Sequence, residues 1–178
     1  VGSELSTSAA IYYVAHHILV QTTLFLVVGL IERQAGSSSL RRLGGLIASP
    51  LLAGMFLIPA LNLGGIPPFS GFIGKVALLE AGAQDGSVLA WILVGGSVVT
   101  SLLTLYVMAR IWTKAFWRAR ADAPEGAMAS STASALIEEG EDVLLSERED
   151  VGRMPVTMVV PTMAMVAAGL ALTVWGGP

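Results

Sequence analysis

Lys75 lies in the run PPFSGFIGKVALLEAG (Pro67 to Gly82), midway along a stretch that otherwise reads as membrane-spanning. A lysine near the centre of a bilayer costs about 2.5–3.5 kcal/mol on insertion scales, so such residues face the protein interior and mark ion or proton pathways. An amine removed from bulk water can change charge with modest help from a neighbour, which is what a proton carrier requires. Carboxylate partners are scarce: Glu80 is five positions on, ~7.5 Å further along a helix axis and off the same face. A partner from another span or another chain is expected. Pro67 and Pro68 open the segment, and Gly71 and Gly74 loosen it, so the helix is expected to break close to Lys75.

A second polar set lies upstream. Tyr13, His17 and Gln21 recur at every fourth position and share one side of a helix. A polar stripe on a membrane helix is expected to turn inward, and two readings fit it. One is hydrogen bonding between helices, worth ~0.6 kcal/mol per contact. The other is a proton relay, in which histidine, with an unperturbed pKa of about 6.5, is the switching group. Adjacent residues on a helix point about 100° apart. His17 is therefore expected to share the Lys75 side, and His16 to point elsewhere or bond a backbone group. Ser97, Thr100, Ser101 and Thr104, next to Gly95 and Gly96, read as close helix packing. Asn62, Gly64 and Gly65 read as a turn. No nucleotide-binding loop, metal-spaced His/Glu cluster or nucleophile elbow is present. No catalytic residue, metal ligand or cofactor is assigned, and enzyme chemistry is not expected.

The elements that must position these groups follow from composition. The 178 residues are 54% hydrophobic and 13% charged, with a mean hydropathy of +0.73 and no cysteine. A soluble domain of this size needs a largely polar surface and cannot bury so much apolar area. A net charge of −3 and a pI near 5.3 exclude a nucleic-acid partner, which would require a basic face. Val1 to Ser8 lacks the basic region of a signal peptide, and the chain is expected to begin inside a longer one.

Stretches long enough to cross a hydrocarbon core of ~30 Å occur about five times. They run from Ala9 to Ile31, Leu46 to Leu63, Pro67 to Ala83, Val88 to Trp112 (with an amphipathic extension to Trp117) and Pro155 to Trp175. The expected fold is all-α, a polytopic membrane helix bundle of about five transmembrane helices, the one around Lys75 broken. Residues 9–117 form the main transmembrane region with four helices, residues 118–154 an acidic, disordered loop, and residues 155–175 the final helix. The basic cluster from Arg110 to Arg120 with Arg148 and Arg153 outweighs Arg33, Arg41 and Arg42. That imbalance places the acidic loop on the cytoplasmic side, with Trp112 and Trp117 at the interface.

AAIYYVAHHILVQTTLFLVVGLIERQAG (Ala9 to Gly36) and LRRLGGL (Leu40 to Leu46), followed by NLGGIPPFSGFIGKVALLEAG (Asn62 to Gly82), resemble the proton-conducting antiporter-like membrane subunits. That family joins Mrp-type Na+/H+ antiporters to the antiporter-like subunits of respiratory complex I. PPFSGFIGK and IWTKAFW (Ile111 to Trp117) look most like the D-type branch of the Mrp antiporter subunits. The resemblance covers nearly all of Ala9 to Trp117 and weakens beyond. It implies an inverted-repeat transporter with a broken helix near the midplane, of which this chain would be the C-terminal third.

It further implies a subunit of a multi-subunit monovalent cation/proton antiporter in the bacterial plasma (inner) membrane, conducting protons through mid-membrane titratable residues. Two alternatives stay open: a proton-translocating subunit of NADH-quinone oxidoreductase or a membrane hydrogenase, and a non-conducting scaffold in which Lys75 and His17 only pin helices together. The implied partners are other antiporter-complex subunits, the missing N-terminal part of the same subunit, H+, Na+ or K+, and the lipid bilayer. Lys75 takes the place of the last titratable group before the outer exit. Gln21 stands where many relatives carry lysine and cannot carry a net proton, so His17 and Lys75 bear the path, with Tyr13, His16 and Gln21 in support.

Overall fold

The computed structural model describes residues 4–123, 152 and 154–175. Among the described residues five main helices form: α1 (Glu4–Ala35), α2 (Pro50–Gly64), α3 (Ser70–Asp85), α4 (Val88–Trp112) and α5 (Val156–Trp175). The fold is all-α. Ala10–Ala35, Val88–Trp117 and Val156–Trp175 are each long and apolar enough to cross a membrane, by length and composition. α2 and α3 have 15 and 16 residues, which is about 23–24 Å of helix, short of a ~30 Å core.

The two short helices show where the chain is interrupted. α2 ends at Gly64 and α3 begins at Ser70, with a cis peptide bond between Pro67 and Pro68 in the connection. From Ser70 to Asp85 the helix is continuous. The interruption thus belongs to Pro67 and Pro68, and the expectation that Gly71 and Gly74 also break the helix is corrected. Both glycines are buried inside α3, where they admit close neighbours instead of bends. A Cβ on Gly74 would stand 3.2 Å from the Tyr13 ring, and one on Gly71 only 1.9 Å from the Asn62 carbonyl oxygen.

The chain divides into two compact units. The first comprises Val1–Leu24, Ile58–Met108 and Met163–Pro178. Polar side chains are prominent in its interior: His16, Thr23, Asn62 and Ser70 are each at most 1% exposed. Buried polar groups of this kind persist only when hydrogen-bonded: Thr23 donates to Leu19 O within α1, and His16, Asn62 and Ser70 bond one another at the candidate site below. Around them, α4 turns Leu89, Trp91, Ile92, Leu102 and Leu103 outward, an apolar surface suited to lipid or to a neighbouring protein.

The second unit comprises Phe25–Leu57 and Ala109–Thr162. Its core is apolar, with Val27, Leu30, Leu52, Phe56, Ala115 and Phe116 almost wholly buried. After α4 the backbone widens into a π turn, Thr113–Trp117. Trp112 and Phe116 stack there at 4.6 Å between centroids, and Phe116 meets Phe56 at 5.2 Å. The segment that follows is tied to the α1–α2 connection. Arg118 Nη2 donates to the carbonyls of Leu40 and Leu43, Gly45 N donates to Arg118 O at 2.7 Å, and Arg120 Nη2 donates to Ala35 O at 3.3 Å. Of the loop expected over residues 118–154, residues 124–151 and 153 lie outside the described residues, and with them the expectation of disorder.

Arg118→Ala removes both guanidinium bonds from that tie. A loss of about 1.5–3 kcal/mol is expected, the usual range for hydrogen bonds to a charged group. Heating the detergent-solubilised full-length assembly and following its loss by size-exclusion chromatography measures it; an unchanged melting temperature would show that the tie contributes nothing.

Candidate functional site

The site begins with a backbone deficit. In an α-helix the carbonyl of residue i accepts from the N–H of residue i+4. At the end of α2 the residues four positions beyond Leu63 and Gly64 are Pro67 and Pro68, and proline has no N–H to give. The two preceding carbonyls find substitutes: Leu61 O accepts from Ile66 N at 3.2 Å, and Asn62 O from Gly65 N at 3.1 Å. The last two are served by a side chain. Lys75 Nζ donates to Leu63 O at 3.0 Å and to Gly64 O at 3.3 Å. In a membrane an unsatisfied backbone carbonyl costs several kcal/mol, and so does an unpartnered ammonium. Each deficit offsets the other.

Two features bring Lys75 to that position. It is the sixth residue of α3, so its stem reaches back across the connection. Gly65 has φ +74, a left-handed conformation that turns the chain without a side-chain clash. A Cβ there would lie 2.8 Å from Lys75 Cδ and 3.0 Å from Nζ. Glycine at 65 is needed for both the turn and the passage of the lysine stem.

Beside the ammonium is a cavity of about 160 Å³, lined by Tyr13, His17, Leu63, Lys75, Ser97, Thr100, Ser101 and Thr104. It has room for several water molecules and enough polar groups to hold them. α1 contributes His17 and Tyr13, whose rings are 5.9 Å apart between centroids. α4 contributes hydroxyls. Those of Thr100, Ser101 and Thr104 each donate at 2.8 Å to the carbonyl four residues earlier. Their protons are used within the helix, and their lone pairs remain for a ligand. Among the described residues no carboxylate lines the cavity. Glu80 is exposed and accepts from Gln84 Nε2 at 3.4 Å.

A second cluster fixes the start of α3. Asn62 Oδ1 accepts from Gly71 N at 2.9 Å and from Ser70 Oγ at 3.1 Å. Ser70 has one hydroxyl proton, so its oxygen accepts from His16 Nδ1 at 3.1 Å, which assigns a proton to Nδ1. Ser70 N donates to Thr173 Oγ1 at 3.1 Å. Side chains of α2 and α5 thereby satisfy the first two N–H groups of α3, in the place of a capping side chain, while His16 of α1 holds the Ser70 hydroxyl.

Of the residues singled out from sequence, Lys75, His17 and Tyr13 meet at one cavity. His16 is buried and bonds the Ser70 side chain, not a backbone group. Gln21 is exposed and stands apart, which corrects the expectation that the whole stripe turns inward. The reason is helical drift. Four residues turn a helix about 400°, leaving His17 ~40° from Tyr13, and eight leave Gln21 ~80° away. Ser97, Thr100, Ser101 and Thr104, expected from sequence to pack helices, line the cavity, and Asn62, expected in a turn, holds the start of α3. The recurrence of the four α4 hydroxyls at i, i+3, i+4 and i+7 is the signal in the sequence for a shared polar face. Among the described residues no group of three or more His, Cys, Asp or Glu side chains could hold a metal ion.

Residues 1–104 match the family described as NADH:quinone oxidoreductase/Mrp antiporter, transmembrane region. The chain belongs to that family. Within it, the chain is 42% identical over 116 residues to the D-type Na+/H+ antiporter subunit of Alkalihalophilus pseudofirmus, a match covering 65% of this chain and 23% of the relative. It is 39% identical over 126 residues to the D-type Na+/H+ antiporter subunit of Bacillus subtilis, covering 70% and 25%. The chain thus spans about a quarter of the length of these curated relatives. Among solved structures it is similar to a chain of the Mrp complex from Dietzia sp., with a TM-score of 0.68 and 30% identity over 94% of this chain and 34% of that one.

The geometry at Gly65 gives a direct check of the lysine's position. Gly65→Ala forces a residue with a Cβ into left-handed backbone at a cost of about 1–2 kcal/mol and pushes the Lys75 stem aside. Loss of most ion exchange at normal assembly is the expected outcome in vesicles carrying the full-length subunit. Wild-type exchange would show that the position of the amine is immaterial.

Proposed function

We propose that this chain is part of a subunit of a multi-subunit monovalent cation/proton antiporter in a bacterial plasma membrane, and that Lys75 carries the proton at its mid-membrane step. The observation that carries the reading is the setting of the ammonium: two neutral carbonyls hold it, and it borders a hydroxyl-lined cavity shared with His17. A lysine fixed by a buried carboxylate would strand an uncompensated charge on losing its proton, at a cost of several kcal/mol. Carbonyls leave none. The amine can therefore release its proton to water in the cavity and recover it, and the neutral amine still has two N–H groups for the same carbonyls.

His17, beside Tyr13, is the group through which the proton reaches or leaves that water. His16 holds the end of α3 through Ser70 and acts by position. Pro67 and Pro68 act by freeing the carbonyls. The remaining part of the subunit and the other subunits of the complex supply the rest of the path. Membership in the family, together with relatives that are antiporter subunits, supports a transporter and not an enzyme. The same relatives, and the Mrp complex as structural neighbour, favour the antiporter over the oxidoreductase branch.

Lys75→Ala in the full-length assembly should abolish cation/proton exchange while the complex still assembles, because water can enter to serve the two carbonyls. Lys75→Arg should fail nearly as badly, since a guanidinium does not deprotonate at accessible pH. Dye-reported antiport in everted vesicles, with assembly checked by blotting, reads both. Wild-type exchange in the two variants would make Lys75 structural.

A further inference from the structure

We propose that the place occupied by the Lys75 ammonium is also a binding site for a desolvated monovalent metal cation, so that ammonium and metal ion compete for the carbonyl oxygens of Leu63 and Gly64. The inference rests on the proton-carrying role of Lys75 and adds a second ligand to the same position. Four observations carry it. The two carbonyls have no backbone donor, because residues 67 and 68 are prolines. They are already arranged around one positive charge, at 3.0 and 3.3 Å from Nζ. The adjoining wall offers oxygen lone pairs without protons, since Thr100, Ser101 and Thr104 donate into their own helix. And the space is there, in a cavity of about 160 Å³ that retains room for water.

This donor set selects its ligand. Carbonyl and hydroxyl oxygens with water replace the hydration shell of a monovalent cation. An anion would meet mostly acceptors, the donors being Lys75, Tyr13 and His17. Ca²⁺ and Mg²⁺ are held through carboxylates, and none lines the cavity among the described residues. With the lysine protonated, its charge and its bonds exclude a metal ion. Once the proton has passed to cavity water, the neutral amine holds the carbonyls by uncharged hydrogen bonds only, and a sodium or potassium ion can displace it from them. One positive charge then replaces another, and the site does not hold both at once.

Among the described residues the titratable groups facing this position are His17 and Tyr13 of α1, with His16 behind them on Ser70; α2 and α4 contribute carbonyls and hydroxyls, and Glu80 of α3 bonds Gln84. The competing group is Lys75 and not a histidine. That distinction makes the test specific.

Equilibrium binding of radioactive sodium to the purified full-length assembly, measured against pH and alongside antiport, is the experiment. In the wild type, apparent sodium affinity should rise with pH by up to tenfold per unit. Lys75→Ala should bind sodium at the acid end as tightly as the wild type does at the alkaline end, with the pH slope gone. Thr100→Val with Thr104→Val, added to that variant, should weaken binding about tenfold, and His17→Gln alone should keep the slope. An unchanged slope in Lys75→Ala, or a slope lost in His17→Gln instead, overturns the shared site. If Lys75→Ala loses antiport yet binds sodium as the wild type does, the shared site fails and the proton role stands. If it keeps full antiport, the proton role fails first.

Discussion

Everything around the candidate site depends on two carbonyl oxygens that the backbone cannot satisfy. Pro67 and Pro68 remove the N–H groups that Leu63 and Gly64 would have used, in an environment where each orphaned group costs several kcal/mol. A lysine placed in the same environment costs about 2.5–3.5 kcal/mol on insertion scales. Lys75 donating to both carbonyls turns two penalties into one contact. Its bonds are to dipoles and not to a fixed charge. Holding an amine without pinning its protonation state is the property a mid-membrane carrier needs.

Rigid surroundings keep that contact in register. The start of α3 is bound through Ser70 to His16, Asn62 and Thr173, and Gly71 lies against the Asn62 backbone with no space for a Cβ. Within the first unit, three helices besides α3 thus fix the point from which Lys75 projects. α4 lies across the cavity with hydroxyls that use their protons internally. The wall facing the ammonium is polar yet uncharged, so water and small cations can sit there without a fixed ion pair. Apolar packing does the complementary work in the second unit, where Phe56, Trp112 and Phe116 stack and Arg118 ties down a connection.

Composition and periodicity were enough for an all-helical membrane protein and for Lys75 as the residue that needs explaining. They were not enough for the lysine's partner. Reading Pro67 to Ala83 as one span hid the i+4 relation between the two prolines and the last carbonyls of α2, although that relation is visible in the sequence once the helix end is known. The stripe rule succeeded for Tyr13 and His17 as neighbours and failed for Gln21, because a period of 3.6 rotates an i+4 series steadily off its face. Which hydroxyls of α4 meet the lysine depends on the rotation of one helix against another. No local pattern states that, and packing was the natural reading for Ser97, Thr100, Ser101 and Thr104. The Asn62–Ser70–His16 cluster was out of reach for the same reason: its members are eight and fifty-four residues apart.

The central claim is that neutral oxygens and water surround the Lys75 amine. A cryo-EM map of the complete assembly at a resolution that shows ordered water tests this most directly. The expected result is Nζ on the carbonyls of Leu63 and Gly64, with density for water between it, His17 and the hydroxyls of Thr100, Ser101 and Thr104. A dry cavity, with a carboxylate from a neighbouring segment or subunit against Nζ, would contradict it and leave Lys75 as a structural pin.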